Sequence, residues 1–135
     1  ESTEIQISTL KIKISEEYYA DPCVVKVVVD ENDFALYFSR SLIPYSRDNK
    51  EIEVFEHVGL YAYRKNFLFK ISKLQQTYLE KIEMLEQLRV LESGYKIKVI
   101  ETMSNSIAGV SVDTKEDLIK VEKLINERSN SSGIW

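Results

Sequence analysis

The chain has 135 residues, of which 44% are hydrophobic and 30% are charged, and its formal net charge at pH 7 is -4. This composition is ordinary for a globular protein and excludes the disordered and fibrous classes, while the length predicts one domain rather than two. The negative net charge argues against a nucleic-acid partner, because binding to nucleic-acid phosphates needs a basic surface.

The sequence also disfavours membrane proteins and metal-cluster proteins. No run approaches the roughly 20 apolar residues of a membrane span, and the first residues do not form a signal peptide, so we predict a cytoplasmic protein without a membrane partner. One cysteine, Cys23, excludes an internal disulfide, and with one histidine, His57, no Cys/His metal cluster is possible. Because the chain begins at Glu1 without an initiator methionine, we expect a piece of a longer protein.

The first half of the chain is predicted to be mainly strands. Two apolar runs joined by an acidic turn at 30–33 predict an antiparallel hairpin, and a polar cluster before Pro22 allows at most a short helix. In chain order we predict an extended segment over 5–14, hairpin strands over 24–29 and 34–38, a loop over 39–50 and a strand over 55–63.

A helix with both ends marked is predicted in the second half. Thr77 and Glu80 have the spacing of a capping box, and Gly94 occupies the position of a left-handed stop residue. The apolar residues between them predict one buried face: Leu79, Ile82, Leu85, Leu88 and Leu91, with Met84 on the same side. The stretch 95–99 then alternates apolar residues with lysine, which predicts a strand.

Two further helices complete the predicted architecture. One is short and covers 66–74, and the other follows a second capping box at Thr114 and Asp117 and has an apolar face of Leu118, Val121, Leu124 and Ile125. Strands alternate with helices and at least one strand pair is antiparallel, so the predicted class is α/β with a mixed sheet and flanking helices.

Candidate functional residues stand at the ends of apolar elements, since no self-contained catalytic motif is present. Arg40 closes a strand, and a guanidinium can hold a carboxylate in a two-pronged fork, although a surface ion pair is its commoner role. His57 and Tyr61 are four residues apart on one strand, so their side chains share a face. A single histidine is nevertheless more often structural than ligand-binding.

Three acidic or amide residues are further candidates. Glu86 and Gln87 leave the buried helix face after Leu85, where surface residues need no special function. Asp113 precedes the last predicted helix, whose positive end keeps a carboxylate ionised and able to bind Mg²⁺. Helix-start electrostatics alone also explain Asp113.

Four strings of the sequence resemble the 3-deoxy-manno-octulosonate cytidylyltransferases, the CMP-Kdo synthetases, in the order in which that family has them. They are DPCVVKVVVDENDFALYFSRSLIPYSRD, HVGLYAYRKNFL, LEKIEMLEQLRVLESGYKIKV and VSVDTKEDLIKVEKL. The resemblance is to the C-terminal half of the family and covers nearly the whole chain. It implies part of a nucleotide-diphospho-sugar transferase-like fold, and an enzyme that transfers CMP from CTP to Kdo with Mg²⁺, giving CMP-Kdo and pyrophosphate for lipopolysaccharide synthesis.

The resemblance also implies roles for single residues and segments. By position, it assigns Kdo contacts to Arg40, His57, Tyr61, Glu86 and Gln87 and a metal ligand to Asp113. It assigns no catalytic residue. Residues 1–128 would be the sugar-acceptor and dimerisation part of a homodimer, and 129–135 a flexible tail. The nucleotide-binding half would precede Glu1, so we expect this part alone to be inactive.

Two other interpretations stay open at this point. The chain could be a non-catalytic sugar-acid-binding or dimerisation module derived from such an enzyme, or an unrelated α/β domain with a chance resemblance. Leu42, which stands where the family usually has proline, leaves the path of the chain near Arg40 open.

Overall fold

The computed structural model describes residues 4–103, 115–116, 118–119, 121–123 and 126. The named elements are β1 (Ile7–Lys13), a 3₁₀ helix (Glu16–Tyr18), β2 (Lys26–Val29), β3 (Ala35–Ser39), β4 (Phe55–Tyr63), α1 (Lys65–Ile71), α2 (Tyr78–Glu83), α3 (Gln87–Glu92) and β5 (Lys98–Glu101). The residues described between 115 and 126 are helical. The second capping box, at Thr114 and Asp117, and the tail 129–135 lie outside the described residues.

Within the described residues, five strands form a mixed sheet in the order β3-β2-β4-β1-β5. β1 and β5 are parallel, and the other neighbouring strands are antiparallel. The predicted hairpin is present, with Val27 opposite Phe38. The prediction of an α/β fold with a mixed sheet is therefore confirmed.

The two outer strands of the sheet meet beside Phe34. The N–H of Ala35 donates to the carbonyl of Ile97 at 2.9 Å, and the N–H of Val99 donates to the carbonyl of Asp33 at 2.8 Å. Phe34 and Lys98 form an antiparallel bridge there. These bonds satisfy edge groups that an open sheet leaves unpaired, and they fix the curvature of the sheet around its core.

The hydrophobic core lies between the curved sheet and the helices. It draws on strand residues and on side chains of α1, α3 and the turn before α3: Ile7, Val27, Phe38, Phe67, Leu85, Leu88, Val90, Ile97 and Val99. Burying a side chain of this size contributes roughly 1.5–3 kcal/mol. The core therefore fixes α1 and α3 against the strands. None of the described helices has the length and apolar character needed to cross a bilayer.

The prediction of one continuous helix between Thr77 and Gly94 is wrong. α2 ends at Glu83, and Met84 then takes left-handed backbone angles, φ 55° and ψ 49°. Ile82 and Met84, predicted on the buried face, are 65% and 75% exposed. The cause is tertiary, because Glu83 is bonded to the end of β3 and turns the chain away from a straight helix axis.

Both predicted ends of this region are present. The capping box at Thr77 and Glu80 begins α2, with the Thr77 N–H donating to Glu80 Oε2 at 3.1 Å. Gly94 has φ +82°, its N–H donates to the carbonyl of Leu91, and the next N–H donates to the carbonyl of Val90. This pattern is a Schellman-type stop, and only glycine adopts that φ without strain.

Candidate functional site

A cleft of about 470 Å³ lies beside β4 and is bordered by α1 and the start of α3. Four of the predicted site residues line it together: His57, Tyr61, Glu86 and Gln87. Much of the remaining lining is apolar and includes Ile7, Leu68, Ile71, Met84, Leu85 and Val90. The cleft thus combines a row of polar groups with an apolar wall, as small-molecule sites commonly do.

A bulge in β4 shapes the polar side of the cleft. Thr9 of β1 is opposite Tyr61, but the next residue, Leu10, is opposite Val58. Residues 59–60 of β4 are therefore extra in the ladder, and Gly59 lines the cleft. Bulges often re-aim side chains next to functional sites.

Thr9 fastens this bulge from the neighbouring strand. Its hydroxyl lies 2.9 Å from the carbonyl oxygen of Leu60 and 3.1 Å from that of Val58. The same oxygen lies 2.9 Å from Nε2 of His57. Thr9 is only 2% exposed, so these are the partners that satisfy a buried hydroxyl.

His57 lies inside a ring of aromatic and polar neighbours. Its ring centroid is 5.4 Å from that of Tyr61, which confirms the predicted shared face, and 4.9 Å from that of Phe38 in an edge-on contact. Nδ1 lies 3.4 Å from Nε2 of Gln87. Burial lowers the pKa of His57 to about 4, because a charged imidazolium is poorly solvated there. The imidazole is therefore neutral at pH 7.

Tyr61 and Tyr63 supply phenol hydroxyls to the same cleft, with their rings stacked at 5.7 Å. Burial is the main cause that raises the pKa of both, and the nearby charge of Glu86 raises it further. Both side chains therefore keep their protons at neutral pH. A protonated phenol can donate a hydrogen bond as well as accept one.

Glu86 and Gln87 reach the cleft because two short helices are tied together. Arg89 of α3 donates through Nε to Glu80 Oε2 of α2 at 2.8 Å, and Nη2 bonds the other oxygen of the same carboxylate. Glu80 is 4% exposed, and its pKa is held low by Arg89 despite the burial. The pair fixes the turn after Met84, which leaves Glu86 exposed and Gln87 buried at the cleft.

Arg40 is held beside this turn and is not part of the cleft lining. Its Nε donates to the carbonyl of Glu83 at 2.8 Å, Nη1 to that of Pro22 at 2.9 Å, and Nη2 to that of Met84 at 3.4 Å. The fully buried Lys26 donates to the carbonyl of Arg40 itself at 3.0 Å. Arg40 thus reaches the cleft only through Met84, which lines it.

Comparison with known proteins decides the family. Residues 1–100 match the family described as Cytidylyltransferase. The chain belongs to the cytidylyltransferase family. The family resemblance expected from the sequence is thereby confirmed, and the interpretation as an unrelated domain is excluded.

This cytidylyltransferase chain is similar over nearly its whole length to proteins named 3-deoxy-manno-octulosonate cytidylyltransferase. It is 50% identical to that of Fusobacterium nucleatum subsp. nucleatum over 130 residues, which are 96% of this chain and 52% of the relative. It is 48% identical to that of Acaryochloris marina, over 86% of this chain and 46% of the relative. The chain therefore spans about half the length of the curated relatives that it matches.

A solved structure has the same fold. It is a CMP:2-keto-3-deoxy-manno-octonic acid synthetase complexed with CTP, 39% identical, with a TM-score of 0.83 over 94% of this chain and 52% of that chain. The nucleotide-sugar transferase-like fold expected for this cytidylyltransferase chain is therefore confirmed.

The predicted metal ligand, Asp113, lies outside the described residues. Among the residues that are described, no three His, Cys, Asp or Glu side chains are grouped closely enough to hold a metal ion. Asp113 as a metal ligand therefore stays a prediction.

The sequence prediction missed several residues that build the site. The residues predicted for the site do not include Thr9, Lys26, Tyr63 or Glu83. A threonine or lysine at an inward position of a strand is the signal that could have drawn attention to Thr9 and Lys26, because buried polar groups need partners. Which partners they have depends on strands and helices that are distant in sequence.

Proposed function

We propose that this chain forms the Kdo-binding part of a 3-deoxy-manno-octulosonate cytidylyltransferase, corresponding to the C-terminal half of that enzyme. The reaction would transfer CMP from CTP to Kdo and release pyrophosphate, for lipopolysaccharide synthesis. The observation that supports this best is the shared cleft of His57, Tyr61, Glu86 and Gln87 in a chain 50% identical to such an enzyme.

The cleft suits the hydroxyl groups of a sugar acid. Tyr61 can donate or accept, the Gln87 amide can do both, and the Glu86 carboxylate accepts from sugar hydroxyls. His57 is neutral at pH 7 because burial lowers its pKa, so it adds no charge to the cleft. The apolar wall around Leu85 can cover the carbon face of the sugar.

The carboxylate of Kdo needs a cation, and Arg40 is the candidate. A guanidinium has five N–H donors, and three bonds hold Arg40 to main-chain carbonyls. The remaining donors at Nη1 and Nη2 could bind a carboxylate at the rim of the cleft beside Met84. A guanidinium that is already held in place loses little freedom on binding.

The role of this chain in the transfer is to bind and orient the acceptor sugar. A Kdo hydroxyl would lose its proton to solvent and attack the α-phosphate of CTP. The new P–O bond would replace the bond from the α-phosphorus to the oxygen that bridges to the β-phosphate, and pyrophosphate would leave. Mg²⁺, with Asp113 as a proposed ligand, would supply charge neutralisation at the phosphates. Holding the attacking hydroxyl in line accounts for much of the rate enhancement in such reactions.

We also propose that the protein is a homodimer and is cytoplasmic. We propose further that residues 1–128 form the sugar-acceptor and dimerisation part and that residues 129–135 form a flexible tail. Size-exclusion chromatography with light scattering tests the dimer, because it gives the mass of the assembly directly. A mass of 15.7 kDa at concentrations well above the micromolar range would contradict it.

The test of the proposed function is an NMR titration of the chain with Kdo, with and without Mg²⁺. We expect amide shifts at Arg40, His57, Tyr61, Glu86 and Gln87 that saturate with Kdo. D-Glucuronate, another anionic sugar, is the matched control ligand and should give smaller shifts. No shifts with Kdo, or equal shifts with both sugars, would contradict Kdo binding.

The second candidate is a non-catalytic sugar-acid-binding or dimerisation module derived from such an enzyme. Pyrophosphate release from CTP and Kdo distinguishes the two once the nucleotide-binding half of a relative is added. Kdo binding without any release by this chain agrees with either a binding module or the acceptor half of the enzyme. Restoration of release by adding the nucleotide-binding half of a relative would favour the enzyme.

A further inference from the structure

We infer that Thr9 is a positioning residue that holds His57 as the tautomer with its proton on Nε2. This tautomer orients the Gln87 amide so that its carbonyl oxygen faces the cleft. The tautomer and the amide orientation follow from contacts within the chain. That the ligand is a sugar acid rests on the proposed function.

The Thr9 hydroxyl has a single proton to donate. Its two carbonyl neighbours, those of Val58 and Leu60 at 3.1 and 2.9 Å, can only accept, so the hydroxyl donates its proton to them. The third neighbour, Nε2 of His57 at 2.9 Å, must therefore be the donor. A hydroxyl has one proton and two lone pairs, and this arrangement uses them without conflict.

The other ring nitrogen of His57, Nδ1, lies next to the Gln87 amide. Burial lowers the pKa of His57, so the ring has one proton at pH 7, and that proton is on Nε2. Nδ1 is then an acceptor, and it faces the amide nitrogen of Gln87 at 3.4 Å. A carbonyl oxygen in that position would face a lone pair, so the amide nitrogen is held toward the ring.

The amide oxygen of Gln87, Oε1, is then directed away from the His57 ring. Gln87 lines the cleft, and no bond to its Oε1 is present within the part of the chain that the structure describes. Oε1 is also not one of the fully buried side-chain atoms that lack a hydrogen-bond partner among those residues. It is therefore accessible as an acceptor for a ligand hydroxyl.

The chain of contacts has a consequence for specificity. With the proton on Nδ1 instead, the Gln87 amide would turn and present its NH₂ group to the cleft, and the Thr9 hydroxyl could no longer donate to the bulge. A ligand hydroxyl would then meet a donor in place of an acceptor. The bulge of β4, which Thr9 fastens, and the polarity of the cleft are thus coupled through one hydroxyl.

The test is the ¹⁵N spectrum of the imidazole, which is unambiguous because His57 is the only histidine of the chain. In the 135-residue protein at pH 7 without ligand, we expect a protonated, pyrrole-type Nε2 and an unprotonated, pyridine-type Nδ1. Thr9→Ser keeps the hydroxyl and should keep this pattern. Thr9→Val keeps the shape but removes the hydroxyl, and it should give a mixture of the two tautomers.

Kdo titrations of the same variants give the functional readout. Thr9→Val should weaken Kdo binding about three- to tenfold relative to Thr9→Ser, as expected for the loss of one hydrogen bond. Ser8→Ala, which removes the neighbouring hydroxyl of β1, is the matched control and should bind as the unchanged protein does.

An Nδ1–H ring in the unchanged protein would overturn the inference, and so would a Thr9→Val spectrum identical to that of Thr9→Ser. If Thr9→Val does not fold, the unchanged protein still decides, because a slowly exchanging Nε2–H supports the assignment and an Nδ1–H contradicts it. An Nε2–H ring in a chain that does not respond to Kdo would support the role of Thr9 and contradict the proposed function.

Discussion

Arg40 and Glu83 bind each other through both main chain and side chain. The N–H of Arg40 donates to Glu83 Oε2 at 3.0 Å, and Arg40 Nε donates to the main-chain carbonyl of Glu83 at 2.8 Å. Ser39 adds a hydroxyl bond to Glu83 Oε1 at 2.7 Å. The end of β3 is thereby joined to the end of α2, at the point where the chain turns toward the cleft.

Glu83→Gln should destabilise the protein by about 1–3 kcal/mol, the usual cost of losing charge-assisted bonds at a partly buried group. Urea unfolding at pH 7 measures this free energy. Glu53→Gln is the matched control, since Glu53 forms an exposed ion pair with Lys13 and should contribute little to stability. Equal losses in the two variants would contradict the role of Glu83.

The stability contributed by Glu83 should depend on pH. Burial raises the pKa of Glu83, but the hydrogen bonds from Arg40, Ser39 and Tyr37 outweigh it, and the pKa lies below its usual 4.5. The folded state therefore favours the charged form, and the contribution is complete above the unfolded pKa and lost as pH falls below it. The difference in unfolding free energy between Glu83→Gln and the unchanged protein should shrink below pH 4.5.

Arg40→Lys should weaken Kdo binding by about tenfold or more, because an ammonium keeps the charge but loses the fork that reaches carbonyls and carboxylate together. Isothermal titration with Kdo measures the affinity, and urea unfolding reports the accompanying loss of stability. Arg47→Lys, in the exposed part of the loop, is the control and should change neither. Kdo affinity unchanged in Arg40→Lys would remove Arg40 from the proposed site.

Tyr61→Phe should lower Kdo affinity about three- to tenfold by removing one hydroxyl from the cleft. The ring contacts with His57 and Tyr63 remain possible, so the melting temperature should change little. Tyr45→Phe, at a side chain 84% exposed in a distant loop, is the matched control. An affinity that is the same in both variants would show that the Tyr61 hydroxyl does not contact the sugar.

His57 should titrate with a pKa of about 4 in the folded protein, against about 6.5 for an unfolded histidine. The folded state then binds fewer protons, so this group contributes stability that is complete well above pH 6.5. The contribution falls by roughly 1 kcal/mol for each pH unit as the pH drops from about 6 to about 4, and it changes no further below that. NMR titration of the single imidazole measures the pKa. A value near 6.5 would mean that the ring is exposed to water and is not enclosed beside Thr9 and Gln87.

Gly94→Ala should destabilise the protein by about 1 kcal/mol, because φ +82° is strained for a residue with a Cβ. Gly59→Ala is the matched glycine control, since its added Cβ meets nothing within 4 Å. Thermal unfolding of both variants measures the difference. A larger loss at Gly59 than at Gly94 would contradict the assignment of Gly94 as the helix stop.

The amino-acid sequence determined the features that depend on neighbouring residues. The hairpin of β2 and β3, the strand β4, the capping box at Thr77 and the stop at Gly94 are all local patterns, and each is present in the structure. The shared face of His57 and Tyr61 followed from strand periodicity alone. The family resemblance also came from strings within the sequence.

Only the tertiary structure decided how these elements meet. The break at Met84 arises because Glu83 is bonded to β3, more than 40 residues earlier, and helix periodicity contains no information on that contact. Arg40 proved to be bonded to main-chain carbonyls beside the cleft, and Thr9 to be joined to His57 across two strands. Partners distant in sequence satisfy these polar groups, and the packing of the chain is what brings them together.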